Sequence, residues 1–559
     1  MQFIPRLDRN FLKKNNPQMS IVRFTGMVQD MLDTEYYVSE IGGVQTHFRD
    51  YWSESADDFN ETNLASKLNE RQPLVVVPLP FSSQDGTEKD ESEPVIMMEV
   101  SNDAEKEASA RKRDRDAEMA VMDSNRTEPS KKHRASQPNL VVDNFDCRAT
   151  DWWPMGSMGS DPNQCAVLAK VCYEQIQGEK SRLRLNDVVE LVGVLSFEPV
   201  AVVESDTPDN DFFEERLVFP PPSLMPRLHV LTYKTMELEE LVPDTNDDDY
   251  TTASLVEDRA RSIALLSRNL FGGLQSAGEA LLMSLLSHAE REQISENVWA
   301  PVRTPDETAL GCAALRFVLP SAHACKELQR ALVSTLKQVV PVVAVMSLSD
   351  LGRGLVSPAK TDSGRLMPSA LQCPKGSVVV INESDLVAEP KQQTCRETLD
   401  AIRCLTARHY VPYRFEGMMR YNFEADYRIV VLSTPQRSTQ YLNCSMEMPL
   451  PLADFPSSAT LPNEALGTLK SFLARCRLRQ NGKGNSNICL GRDILQRAQE
   501  DFVKRRLEAR SKGTEVGEAD FHRWLTISRI QARSYGCTSA APMHWQEALR
   551  LDDAMRRKG

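Results

Sequence analysis

The sequence predicts two kinds of fold in one chain, an all-β N-terminal part followed by an α/β C-terminal part. Short apolar runs with period-two alternation, typical of half-buried strands, recur between residues 21 and 196. From residue 255 onward helical and strand patterns alternate, which indicates a parallel, doubly wound sheet. Between the first strands, residues 82–144 contain no Phe, Tyr or Trp, which predicts an insert without a packed core.

Composition excludes several classes of protein. A chain of 559 residues accommodates three or four domains at roughly 150 residues each. The net charge of -13 argues against a protein that coats nucleic acid, so we expect no strong direct nucleic-acid binding. The twelve cysteines are scattered and contain no CxxC pair, which indicates reduced thiols and no metal site. No apolar run approaches the roughly 20 residues of a membrane span, so a soluble intracellular protein is expected.

The N-terminal strands favour a small closed sheet. A glycine lies near the middle of the first predicted strand and of the last, and the spacing indicates a Greek-key barrel of the OB type, formed by residues 1–81 and 146–200. Such barrels often bind single strands through aromatic faces. Here Trp152 and Trp153 have an acidic flank, which favours a structural or protein-docking role. The predicted strands cover residues 21–31, 36–38, 74–77, 165–173 and 186–196.

The insert at 82–145 is expected to be disordered, because it cannot bury enough apolar surface to offset its ordering entropy. It holds two basic clusters of the kind that a nuclear import receptor reads, although a solvated polyampholyte is the alternative. The clusters are formed by Arg111, Lys112 and Arg113, and by Lys131, Lys132 and Arg134. We therefore expect the protein in the nucleus.

A second spacer is predicted at 201–253. It contains three prolines at 220–222, and three aspartates at 247–249 lie near its end. Between them, residues 227–231 have the pattern of a docked edge strand.

The remaining chain divides into an α/β core at 254–460 and a helical lid at 461–559. After residue 462 the pattern is helical to the end. In the core, helices are predicted at 255–269, 274–291 and 323–338, and strands at 314–319, 341–346, 376–383 and 427–432.

The strand at 376–383, GSVVVINE, has the form of a nucleotidase strand without its chemistry. In P-loop ATPases such a strand ends in Asp-Glu, where the Asp holds Mg²⁺ and, in the AAA+ branch, the Glu polarises the attacking water. Here Asn382 stands at the metal position and Glu383 follows it. An amide brings no charge to offset a divalent cation, which prefers carboxylate oxygens.

The phosphate loop is also missing. A phosphate cradle needs glycines, a Lys and a Ser/Thr at the start of the next helix. The loop at 320–324 has no glycine, and Cys325 and Lys326 stand where Lys-Ser/Thr is expected. The stretch from Gly273 to Gly278 has a similar spacing, but it carries Glu279 at the Lys position and predicts an ordinary helix.

Four long runs of the sequence are specific enough to compare with known families. They are VRFTGMVQDMLD at 22–33, ERQPLVVVPLP at 70–80, LNDVVELVGVLS at 185–196 and PPSLMPRLHV at 221–230. These runs are similar to one known family, the mini-chromosome maintenance (MCM) complex-binding proteins. The resemblance covers nearly the whole chain apart from the insert and the spacers. Family members usually carry a longer stretch before the first run, so the chain is expected to lack part of the N-terminus.

The C-terminal half resembles the AAA+ module of MCM helicase subunits. SALQCPKGS at 369–377 is similar to the helicase segment that leads into Asp-Glu. The resemblance places Thr434 where a sensor Asn is expected and Ala519, in the lid run EADFHRWL at 518–525, where a sensor Arg is expected. No arginine-finger motif is recognisable between 433 and 460, and such a finger is worth about 10³ to 10⁵ in rate.

The resemblance implies a non-catalytic protein that needs no cofactor and binds MCM subunits. It implies regulation of helicase assembly and of helicase removal from chromatin, in DNA replication and sister-chromatid cohesion, with only indirect chromatin association. Two alternatives remain at this point, an ATPase with an unusual site and a single-strand-binding OB protein. In the lid, exposed charges at Arg523, Arg529 and Arg533 are expected to pair with acidic groups of a partner.

Overall fold

The structure is a computed structural model with all side chains. It describes residues 4–8, 11–12, 20–41, 44–45, 67–80, 165–173, 182–196, 225–242, 252–295, 298–305, 307–348, 357–360, 365–384, 386, 392–415, 419–435, 441–451, 455, 463–481 and 487–556. The predicted disordered insert, both basic clusters and the Trp152–Trp153 pair lie outside these residues.

The described N-terminal residues form seven strands, a short 3-10 helix at Leu238–Leu241 and a helical pair at residues 11–12. The strands are β1 (Ile21–Met31), β2 (Glu35–Ile41), β3 (Val44–Gln45), β4 (Lys67–Val77), β5 (Val167–Val171), β6 (Val188–Ser196) and β7 (Arg227–Met236).

The C-terminal residues form helices and strands in alternation. The helices are α1 (Thr252–Leu270), α2 (Gln275–Leu286), α3 (Ala322–Val339), α4 (Gln393–Arg408), α5 (Asn463–Asn481), α6 (Arg492–Ser511), α7 (Glu518–Ser534) and α8 (Pro542–Arg556). The strands are β8 (Arg291–Ser295), β9 (Val298–Pro301), β10 (Ala314–Val318), β11 (Val343–Ser347), β12 (Ala359–Lys360), β13 (Leu366–Met367), β14 (Val378–Asn382), β15 (Tyr410–Arg414), β16 (Arg420–Glu424), β17 (Arg428–Ser433), β18 (Met446–Pro449), β19 (Cys489–Leu490) and β20 (Ser539–Ala540).

Strand pairing in the N-terminal sheet runs in a circle. The order is β1-β6-β7-β5-β4, and β1 also pairs with β4, so five strands each have a partner on both sides. Gly26 lies where β1 meets β4, and a Cβ atom there would stand 2.3 Å from the carbonyl oxygen of Val77. The missing side chain therefore lets the two backbones approach closely enough to pair.

Two predictions for this sheet are wrong. Residues 227–231 are not an edge strand in a spacer, because β7 pairs with β6 on one side and with β5 on the other. The strand predicted at 36–38, now β2, lies outside the circle and pairs with β4 and β3. The prolines at 220–222 suggested a linker, but β7 begins five residues after the last of them and its first four residues are buried.

The α/β prediction for the C-terminal half is confirmed. A five-stranded sheet in the order β11-β14-β17-β10-β18 has only parallel pairings. Alternate residues point to opposite faces, as in any strand. One face packs on α1, α2, α3 and the C-terminal helices, and the other packs on α4 and β15.

Several elements of this half were not predicted, among them α4, the β8–β9 hairpin and β18. A second sheet, β13-β12-β15-β16, was also missed. Strands β12 and β13 have only two residues each. Strand β15 contains Pro412, and a proline normally argues against a strand within a sheet. Local pattern is weak in such segments, and their pairing depends on the rest of the fold.

The N-terminal sheet is fixed to the amino-terminal edge of the parallel sheet. Glu239 of the 3-10 helix is buried between Arg428, at the start of β17, and Arg477 of α5, whose Nε lies 2.8 Å from Glu239 Oε1. Burial raises the pKa of Glu239, but Arg477 and Arg428 overcome this effect and hold it below its usual value. Glu239 is therefore ionised and carries the negative charge that these two buried arginines require.

The prediction of a helical C-terminus is confirmed, apart from the two-residue strands β19 and β20. Helices α5, α7 and α8 extend the core of the parallel sheet, and α6 packs on Trp524 and Trp545. The cysteines in the described ranges form no disulfide. Within those same ranges, no helix has the length and apolarity needed to cross a membrane.

Candidate functional site

The carboxyl-terminal edge of the parallel sheet brings together most residues of the predicted nucleotide site. β17 lies between β10 and β14, so the ends of the three strands are adjacent. Val318 is paired with Ser433, and Asn382 with Leu432. The loop before α3, the Asn382–Glu383 pair and Thr434 therefore share one edge, which is where α/β sheets bind ligands.

The loop before α3 is closed on itself. Ser321 is the N-cap residue of α3, and its side-chain oxygen accepts a hydrogen bond from Ala324 N at 3.2 Å. Cys325 is fully buried, and its thiol donates to the carbonyl of Ser433 at 3.5 Å. In a phosphate loop the first amides of the helix face the ligand. Here a side chain satisfies one of them and Cys325 packs against β17, while Lys326 is exposed.

Asn382 is committed to internal hydrogen bonds. Its side chain is buried, and Nδ2 donates to Gln329 Oε1 of α3 at 2.8 Å. Its Oδ1 accepts from the backbone N of Ser384 at 3.0 Å and from the Ser384 hydroxyl at 2.7 Å. The oxygen that could face a metal is thus used twice within the protein, and Asn382 ties β14 to α3.

Glu383 is buried beside the guanidinium group of Arg316. No part of it is exposed, and Arg316 of β10 places Nε 3.3 Å from Glu383 Oε1. Arg316 also pairs with Glu447 of β18 at 3.2 Å. Burial raises the pKa of Glu383, and the Arg316 guanidinium opposes this shift. A glutamate that polarises water must reach solvent, whereas this one belongs to a buried ion pair.

The two predicted sensor positions, Thr434 and Ala519, place no charged side chain at this edge of the sheet. Thr434 is half-buried directly after β17, and its carbonyl accepts from the Ser433 hydroxyl at 3.5 Å. Ala519 is exposed in the first turn of α7, a helix that packs on α8, α2 and β20. The structure therefore groups Cys325, Asn382, Glu383 and Thr434, and places Ala519 in the helical C-terminus.

The expected exposure of three lid arginines is wrong. Arg533 is 2% exposed and donates to the carbonyl of Leu286 at 3.1 Å. Arg529 pairs with Glu290 at 3.0 Å, and its side chain is 16% exposed. Arg523 donates to Asp552 at 2.8 Å and to Asp520 at 2.7 Å. The lid uses these arginines for its own packing, because α7 is surrounded by α2, α6 and α8.

Two residues that contact the site, Arg316 and Gln329, were not predicted from the sequence. A signal for Arg316 was present, since a charged residue within the apolar run Leu315–Val318 needs a buried partner. Gln329 gave no such signal, because a glutamine on a helix is ordinarily solvated.

The fold and this edge define an α/β protein with an amide, Asn382, at the end of β14 and a buried Glu383 directly after it. The family model described as mini-chromosome maintenance replisome factor matches residues 1–558, and the chain belongs to this family. The resemblance inferred from the sequence runs is thereby confirmed.

Relatives from distant organisms are similar over nearly their whole length, and each is named mini-chromosome maintenance complex-binding protein. The protein of Arabidopsis thaliana is 25% identical over 563 residues, covering 98% of this chain and 89% of the relative. That of Gallus gallus is 24% identical over 603 residues, covering 98% and 89%. That of Mus musculus is 23% identical over 608 residues, covering 99% and 90%.

Proposed function

We propose that this chain binds the MCM complex, as the names of its relatives state for those proteins. The observation that carries the proposal is the match of the family model to residues 1–558. The relatives are also covered over about nine-tenths of their length, so the similarity extends over both halves of the chain and not over one module alone.

The C-terminal half is, in this proposal, a degenerate AAA+ core. The support is the parallel sheet with the β10 loop, Asn382 and Thr434 at one edge, together with the helices α5 to α8 as a lid. The N-terminal sheet is an OB-type barrel in the same proposal, supported by the circular pairing of its five strands. A module shaped like a helicase subunit is suited to pair with helicase subunits.

The protein acts in this proposal as a partner and not as an enzyme. The closed loop before α3, the internal hydrogen bonds of Asn382 and the ion pair of Glu383 support this role. A subunit-like protein without a working nucleotide site can pair with the helicase and stay outside the ATP cycle. It thereby regulates assembly of the MCM helicase and its unloading from chromatin in the nucleus, in DNA replication and sister-chromatid cohesion.

Size-exclusion chromatography of the full chain with purified MCM complex tests the binding. Co-elution of both is expected, and separate elution at micromolar concentrations contradicts the proposal. ATP hydrolysis by the chain alone tests the non-catalytic role, with Glu383→Gln as the matched variant. We expect no turnover above a control preparation, and turnover that disappears in Glu383→Gln contradicts it.

A further inference from the structure

The sheet formed by β13, β12, β15 and β16 has two very different edges. At the β13 edge, the N-terminal sheet occupies the backbone of Leu366, whose carbonyl accepts from Gln29 Nε2 at 2.8 Å and whose N–H donates to Asp30 Oδ2 at 2.8 Å. At the other edge, the side chains of Arg420, Tyr421 and Asn422 in β16 are all exposed. One edge of the sheet is thus sealed inside the molecule and the other faces outward.

Hydrogen bonds at the two ends of the β15–β16 hairpin show which backbone groups of β16 point outward. Phe415 N donates to Met419 O at 2.9 Å, and Ala425 N donates to His409 O at 3.0 Å. In an antiparallel pair, residues that exchange hydrogen bonds alternate with residues that do not. With the observed register, Tyr421 and Phe423 bond to β15, so Asn422 and its even-numbered neighbours in β16 do not.

The partner strand agrees with this assignment. Arg414 of β15 is opposite Arg420, yet its N–H donates to the carbonyl of Pro358 beside β12 at 3.0 Å. Even-numbered residues of β15 therefore face β12, and those of β16 face away from the sheet. Three residues, Arg420, Asn422 and Glu424, present N–H and C=O groups along this edge, and an edge of this kind is a template for another strand.

The side chains beside this edge define what strand would fit. Tyr421 and Met419 are 53% and 56% exposed and lie on one face. On the other face, Arg414 and Arg420 both pair with Glu397, at 2.9 and 3.3 Å, so that two cations share one carboxylate. Because side chains of a strand alternate between faces, the complementary segment alternates apolar and acidic residues.

From this geometry we infer that the outer edge of β16 receives an extended segment of a partner polypeptide, which adds a strand to the sheet. The inference rests on the proposed function, and the partner is a subunit of the MCM complex carrying an alternating apolar and acidic segment. Main-chain hydrogen bonds supply affinity in this mode, and the flanking Tyr421 and Arg420 supply selectivity.

Proline substitution at an outward-facing position separates this role from stability. Asn422→Pro removes an N–H that β15 does not use, and proline is tolerated on edge strands. Asn422→Ala keeps the N–H and is the matched control. In a titration of purified MCM complex with the full chain, Asn422→Pro is expected to lower affinity at least about tenfold, and Asn422→Ala to leave it nearly unchanged.

Hydrogen exchange on the unsubstituted chain gives a second readout that needs no variant to fold. The amides of Arg420, Asn422 and Glu424 are expected to exchange quickly in the free chain and to become protected on addition of MCM complex. The amides of Tyr421 and Phe423 are expected to be protected in both states, since β15 binds them.

The outcomes distinguish this inference from the proposed function. If the complex forms while the three outward amides stay unprotected, or while Asn422→Pro binds as the parent does, the edge assignment is wrong and the proposed function stands. If the unsubstituted chain forms no complex, the proposed function is overturned and the edge assignment with it.

Discussion

At the scale of single residues, Asn382, Cys325 and Glu383 each contact a partner from another element, namely Gln329 of α3, Ser433 of β17 and Arg316 of β10. Asn382 and Cys325 could be singled out from the sequence, because the nucleotidase-strand and phosphate-loop motifs define their positions along the chain. Gln329, Ser384 and Arg316 are brought to the same edge by different elements, and no local pattern marks them. The internal contacts of Asn382 and Glu383 at this edge therefore depend on the packing of the sheet and not on a local sequence pattern.

Arg316 is predicted to be essential for stability, because it is the cation beside the buried Glu383. Arg316→Met should lower the free energy of unfolding by about 3–5 kcal/mol, the cost of an uncompensated buried charge. Adding Glu383→Gln should restore much of this loss, since Glu447 is half-exposed and tolerates the absence of a partner. Denaturant unfolding measures both effects. An Arg316→Met chain as stable as the parent would show that Glu383 needs no counter-charge.

At the scale of elements, helices and strands with strong apolar patterns lie where the sequence predicts them, and several elements with weak patterns do not. β1, β6 and α3 have long apolar patterns, β10 and β17 have short continuous apolar runs, and all five lie where the sequence predicts them. β7 was assigned to a spacer because prolines and acidic residues flank it, and β15 was missed because of Pro412. The lid arginines were placed on the wrong side of α7, since that helix has apolar residues on several faces and its exposed face is set only by packing.

Arg533 gives the sharpest test of how α7 is packed. Its burial lowers its pKa only to about 10, so it remains charged at neutral pH and donates to Leu286. Arg533→Glu should therefore place a carboxylate against a carbonyl and destabilise the protein by about 3 kcal/mol or more. Arg497→Glu, on an exposed position of α6, should change stability by about 0.5 kcal/mol at most. Equal melting temperatures for the two variants would contradict the packing of α7.

At the scale of the whole molecule, the N-terminal sheet and the parallel sheet share one buried cluster of charges. This cluster was not predictable from the sequence, because Glu239 lies in a predicted spacer and its partners Arg428 and Arg477 are far away along the chain. The joint formed by Glu239, Arg428 and Arg477 places the N-terminal sheet at the edge of the parallel sheet opposite Asn382 and Glu383. The two halves are thereby held as one body for partner binding.

Glu239→Gln should loosen this joint, since it leaves Arg428 and Arg477 buried with less negative charge. We expect a loss of several kcal/mol and unfolding of the N-terminal strands before the parallel sheet, visible by hydrogen exchange as earlier loss of protection in β1 and β6. Glu237→Gln is the control, because Glu237 is about one-third exposed and pairs with Lys375 at the surface of the joint. Equal behaviour of the two variants would argue that the joint is held by other contacts.

The predicted nuclear localisation depends on the two basic clusters, which lie outside the described residues. Changing Arg111, Lys112 and Arg113 together with Lys131, Lys132 and Arg134 to Ala should shift the protein toward the cytoplasm. The segment has no aromatic residue to anchor a core, so the melting temperature should stay nearly unchanged. Fluorescence imaging of the tagged chain measures the shift, and a six-fold variant that stays fully nuclear would assign import to another segment or to a partner.

Binding of the MCM complex by this chain is the property on which the proposed role depends. Capture with the tagged full-length chain from nuclear extract, followed by mass spectrometry of the bound proteins, tests it most directly. We expect MCM subunits in near-stoichiometric amounts with the chain and none with an unrelated tagged protein. Recovery of the chain without MCM subunits, at salt concentrations near physiological, would contradict it.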